Sequence, residues 1–166
     1  MSMIPDAPVI AALLDSWDRN NRILVNLLRA VPDDCLDLRP MDSSPSIVQL
    51  AKHMYYCRLI FVVENAPEFG VGLLPNDEWR AERDRERILK MLDESAEVVR
   101  DAVAGRLASG RAMDVHYDHP ILLLQHMIWH EGYHHGQIKL TLKLAGRPFD
   151  DEEIGVVTWD LWMDKT

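Results

Sequence analysis

Apolar residues recur at helical spacing in four stretches of this chain, with turn-forming residues between them. In the first, from Pro8 to Ala30, Ile10, Leu13, Leu14, Trp17, Leu24, Leu27 and Leu28 form one stripe. Asp18, Arg19, Asn20 and Asn21 make the wet side. Pro32 and the acidic Asp33–Asp34 pair end it. The second stretch takes Ser44 as its N-cap and Pro45 as its first helical residue, and runs to about Ala66, with Pro67 beyond its end. Its apolar set is Ile47, Leu50, Met54, Cys57, Leu59, Ile60 and Phe61. Gly70, Gly72 and Pro75 make the segment from Phe69 to Asn76 a loop.

The third stretch begins between Asp77 and Asp84 and ends near Gly105; Ile88, Leu92, Val99 and Val103 are its stripe among many charges. The fourth opens at Pro120, with Asp118 or His119 as its cap, and stops at Gly146 before Pro148. It is the most apolar of the four and belongs in the middle of a bundle. The tail from Phe149 to Thr166 carries Trp159 and Trp162 and is expected to fold back on the bundle, with a short extended piece around Gly155–Thr158. The pattern predicts an all-α four-helix bundle with a packed C-terminal tail, one domain over residues 1–166.

A chain of 166 residues buries enough surface to fold without disulfide staples, so Cys35 and Cys57 are expected to be reduced thiols of a cytoplasmic protein. The net charge of −9 and the lack of any Lys/Arg-rich run argue against nucleic acid and against an anionic membrane surface as partners. The N-terminus has no basic region ahead of an apolar stretch, so it does not read as a signal peptide, and no apolar run approaches the ~18 residues of a membrane span.

Candidate chemistry sits in the segment HMIWHEGYHHGQ, residues 126–137. His130 and His134 are four apart, so both imidazoles leave one face of the fourth helix about one rise of ~6 Å apart. Two rings at that spacing converge on a metal ion at nitrogen–metal distances near ~2.1 Å. A third ligand must come from another helix. His53 is the only histidine on the other three predicted helices, and it lies on the inward stripe between Leu50 and Cys57. His126, His130 and His134 form one row whose ends are ~12 Å apart, too far to share one ion. The pair is therefore His126/His130 or His130/His134, and helix geometry leaves both open.

The flanks of His134 differ from those of His126. Gly132 and Gly136 leave room beside it, and Gln137, at i+3, reaches the same face to bond a ligand ring or bound water. Trp129, Tyr133 and Tyr56 are placed near the mouth of an apolar pocket. Cys57 reads as a small buried apolar residue, and Glu131, about 100° round the helix from His130, as solvated. His116, His119 and His135 read as solvated or capping residues. The segment is not the zincin H-E-x-x-H, because one residue too many separates the histidines.

With His53 following SSPSIVQLAKH, and His130, His134, Gly136 and Gln137 in HEGYHHGQ, the chain resembles the DinB/YfiT-like family of metal-binding four-helix bundles. The resemblance runs from the first helix through the LAGRP end of the fourth; His135 stands where the family often has Arg. It implies His53, His130 and His134 as the ligands, with Gln137, Tyr133 and Cys57 around them. It further implies one divalent transition-metal ion, usually zinc or nickel, with coordination left open to water, and a homodimer. Some relatives are metal-dependent S-transferases that use a low-molecular-weight thiol, so a small-molecule substrate is expected. A non-catalytic metal- or ligand-binding stress-response protein and a metal-dependent hydrolase are the alternatives, since no general base is legible.

Overall fold

A computed structural model describes residues 7–73 and 77–165. The four expected helices are α1 (Ala7–Ala30), α2 (Ile47–Asn65), α3 (Arg85–Ser109) and α4 (Ile121–Leu144), followed by a short α5 (Asp151–Val157). No strand occurs among the described residues, and no helix is long and apolar enough to cross a membrane. The fold is an all-α bundle. α3 packs on α1 and α2, α4 closes against all three, and α5 with the 3₁₀ turn Trp159–Trp162 folds back onto α1.

Helix ends moved by a few residues for identifiable reasons. α2 starts later than Ser44 and Pro45 suggest, because Ser46 and Gln49 form a reciprocal capping box: Gln49 N–H donates to Ser46 Oγ, and Ser46 N–H donates to Gln49 Oε1. α3 passes through Gly105 and ends at Gly110, whose φ of 65° suits a left-handed cap. Gly105 answers a packing need instead: a Cβ there would lie 2.3 Å from the Phe69 ring. The expected extended piece at Gly155–Thr158 is mostly helix. The Asp150 carboxylate accepts from the N–H groups of Glu152 and Glu153, and this cap nucleates α5 despite its β-branched end. Thr166, the end of the expected tail, lies outside the described residues.

The apolar core is divided into two clusters. One gathers Leu24, Leu28, Ile47, Met54, Leu92 and Ile138; the other gathers Trp17, Val62, Val99, Leu123 and Met127. Close to their junction lies a buried polar belt. Arg58 of α2 is fully buried and grips Glu131 of α4 with two bonds, Nε to Oε1 at 2.6 Å and Nη2 to Oε2 at 2.8 Å. Arg58 Nη1 donates to Asn21 Oδ1 of α1 and to the carbonyl of Leu92 of α3. Asn20 Nδ2 donates to Glu131 Oε2 at 2.6 Å, and the Trp17 ring stacks 4.8 Å from the guanidinium. One ion pair thus ties all four long helices together. Glu131, expected to be solvated, is 2% exposed; in the bundle its side of α4 turns toward Arg58 and Asn20.

Removing one partner of a buried pair strands the other charge at a cost of about 3–5 kcal/mol, whereas replacing both by apolar groups is often near neutral. Arg58→Met is therefore expected to lower unfolding free energy by about that amount in urea titrations, and Arg58→Met with Glu131→Leu to regain most of it. A single variant that loses less than about 1 kcal/mol contradicts this account of the belt.

Candidate metal centre

His53, Arg58, His130 and Glu131 are neighbours across one helix interface. Pinning Glu131 on Arg58 sets the rotation of α4, and the next residue back, His130, then faces His53 on α2. His53 Nε2 lies 3.1 Å from His130 Nε2, and His134 Nε2 lies 3.0 Å from the same atom. The three rings meet edge to face, with centroids 4.5–5.0 Å apart.

The outer nitrogens define what the inner ones can do. His53 Nδ1–H donates to the Glu78 carboxylate at 2.6 Å, and His134 Nδ1–H donates to Gln137 Oε1 at 2.7 Å. The Gln137 amide is oriented by its own donation to the Tyr133 hydroxyl at 3.0 Å. A neutral imidazole has one proton, so the Nε2 atoms of His53 and His134 are left as bare lone pairs. Both face His130 Nε2, whose ring holds one proton at most, because burial first and the neighbouring histidines second push its pKa down to about 3. Burial also lowers the pKa of His134. His130 Nδ1 is itself buried without a hydrogen-bond partner among the described residues.

A single proton on His130 Nε2 can hydrogen-bond only one of these two lone pairs at a time, whereas a shared cation would engage all three nitrogens. Nitrogen–metal bonds of ~2.1 Å at angles between square and tetrahedral require nitrogens about 3.0–3.4 Å apart. The observed separations of 3.0 and 3.1 Å suit such an ion, and an imidazole donor set suits first-row transition metals.

Of the residues expected around the site, Gln137 and Tyr133 lie in one hydrogen-bonded chain with His134. The Cys57 Sγ is 3.7 Å from both ring nitrogens of His53, but burial pushes its thiol up to about 12, so it stays protonated. Trp129 and Tyr133 stack on each other on the exposed side of α4. His126 turns the other way: its Nδ1 pairs with the Tyr117 hydroxyl at 2.7 Å, and its ring is 6.4 Å from that of His130. His116 pairs with Glu64; the N-cap position of α4 is Pro120 rather than Asp118 or His119, and His119 Nδ1 accepts from Ile121 N–H from one residue further out. His135 is half-buried rather than solvated, and burial pulls its pKa to about 4.

Two residues of this neighbourhood were not legible in the sequence. Glu78 and Trp79 come from the segment between α2 and α3. Trp79 stacks flat on the His53 ring, with centroids 4.5 Å apart and planes 7° apart. The Trp79 carbonyl accepts from Gln49 Nε2, which anchors the segment to α2. An acid next to an aromatic residue, Glu78-Trp79, just ahead of a charged helix, was the only available signal, and a loop assignment does not say where its side chains land.

The model of the DinB family matches residues 3–152. No significant match to a curated protein or to a solved structure was found. A match over nearly the whole bundle, together with the all-helical fold, means that the chain belongs to the DinB family.

Proposed function

We propose that this protein binds one divalent transition-metal ion, zinc or nickel, through the Nε2 atoms of His53, His130 and His134, and presents it to a small-molecule substrate. The observation that carries this reading is the convergence of three imidazole Nε2 atoms, with the outer nitrogens of His53 and His134 already engaged. Three protein ligands leave coordination free, which is the pattern of catalytic rather than structural sites. The ion, when bound, would supply Lewis acidity that brings the pKa of a thiol or water toward neutrality. The chain's own residues hold the geometry: Glu78 fixes the His53 tautomer, Gln137 fixes that of His134, and Trp79 covers one face of the His53 ring.

Transfer to or from a low-molecular-weight thiol is the reaction we favour, on the strength of family likeness. Metal-dependent hydrolysis and non-catalytic metal binding in a stress response are the outcomes against which turnover assays with thiols and electrophiles would discriminate.

Elemental analysis of untagged protein after incubation with zinc or nickel is expected to give about one ion per chain. His130→Ala and His134→Ala are expected to lose it, while His126→Ala and His116→Ala keep it. Loss in His126→Ala with retention in His134→Ala would overturn the ligand assignment.

Glu78→Gln and Gln137→Ala are each expected to weaken metal affinity roughly 10–100-fold while leaving the thermal unfolding of the metal-free protein unchanged. Competition titration against a chromophoric chelator measures this, and wild-type affinity in both variants would remove these residues from the site.

The same reading includes a homodimer, supported by an unpartnered apolar stripe along α4. Leu122, Trp129, Tyr133, Leu140 and Leu144 share one side of the helix, and Trp129 alone is 71% exposed. Light scattering is expected to give twice the chain mass of 19.1 kDa, with Trp129→Glu shifting it toward the monomer. A wild-type monomer at tens of micromolar contradicts the assignment.

A further inference from the structure

A concavity lies on the side of α4 away from the histidine cluster. It has a volume of about 630 Å³ and sits between α1, α4, α5 and the turn Trp159–Trp162. Gly132, expected beside His134, lines this cleft instead: it is two residues from both His130 and His134, which at about 100° per residue puts it roughly 160° from either around the helix. The cleft is therefore separate from the histidine cluster. Its size falls within the ~300–1,000 Å³ of small-molecule sites.

The lining has a definite chemistry. Ile23, Ile128 and Ile154 supply apolar wall, and the indoles of Trp159 and Trp162 supply aromatic faces. Gly132 and Gly155 keep the space open: a Cβ built on either meets nothing within 4 Å. The charged lining is unbalanced. Lys139 is neutralised by Asp151 at 2.9 Å, while Glu152 and Asp160 form no ion pair among the described residues. Aromatic faces beside surplus carboxylate are the combination that attracts an organic cation and disfavours an anion.

We propose that this cleft binds a small amphipathic organic cation, an amine or quaternary ammonium carrying an apolar or aromatic body, at a site distinct from the histidine cluster. The apolar body lies against the isoleucines, and the cationic head lies over an indole, close to Glu152 and Asp160. The cleft is built largely from the chain's C-terminal elements, α5 and the turn after it, so ligand binding there also holds those elements against α1 and α4.

The test is calorimetric titration of the intact protein with benzyltrimethylammonium, and with benzyl alcohol and phenylacetate as neutral and anionic controls of similar body. The ammonium probe is expected to bind at least about ten-fold more tightly than either control, and more weakly in high salt. Trp159→Ala is expected to weaken it about ten-fold; the indole is exposed, so the fold tolerates its loss. Gly132→Leu should fill the cleft and abolish binding. Leucine is a better helix former than glycine and meets open space there, so this variant should keep its unfolding temperature and its metal content. Equal binding of the three probes, or undiminished binding to Gly132→Leu, overturns the proposal. So does an absence of binding, and if Gly132→Leu then also converts a dimer to monomers, the occupant of the cleft is a second copy of the chain.

Discussion

The bidentate pair between Arg58 and Glu131 is the contact on which the rest of this architecture depends. Apolar packing brings helices together but resists rotation about their axes only weakly, because one aliphatic side chain substitutes for another at modest cost. A buried guanidinium gripping a buried carboxylate has one acceptable geometry. Here it is reinforced from α1 by Asn20 and Asn21 and from α3 by the carbonyl of Leu92. With Glu131 held, His130 and His134 cannot turn toward solvent without breaking the pair. The belt is best understood as a register device, whose net stabilisation is small beside the cost of breaking it.

That rigidity matters because the site it holds is internally unfavourable. With the pKa of His130 lowered to about 3, its ring carries one proton, which can bridge to only one of its two histidine neighbours at a time. Such an arrangement persists only where surrounding structure over-determines it. The belt does so from one side. Glu78, Gln137 and the stacked Trp79 do so from the other. A preorganised set of donors would bind an ion with little rearrangement, which is where its affinity would come from.

Much of this was legible in the sequence. Four periodic stretches, Gly146 at the end of α4 and the four-residue spacing of His130 and His134 all express local rules, and the structure follows them. What the sequence hid was non-local. Glu131 looked solvated because periodicity within one helix cannot reveal an Arg on another; a charge in the middle of the most apolar helix was the clue, matched by Arg58 in the almost equally apolar α2. Glu78 and Trp79 were invisible for the same reason, since they reach His53 from a loop. The capping box at Ser46 was a local signal of the S-x-x-Q type, overshadowed by the proline immediately before it.

The distinction between local and non-local donors also bears on how metal binding would couple to folding. His130 and His134 are paired by helix geometry alone, so any population of α4, even in a largely unfolded chain, presents two ligands. His53 joins only when α2 packs on α4, and it is oriented by Glu78 only when the intervening loop has closed. The third donor is thus a property of the native state. An ion that binds two donors in the unfolded ensemble and three in the folded one stabilises the native bundle by the difference, not by its whole binding free energy. The step that creates this difference is the docking of α4 on α2, and that docking is governed by Arg58 and Glu131. The ion pair and the histidine cluster are therefore energetically coupled across one interface: tightening either favours the helix arrangement that the other requires.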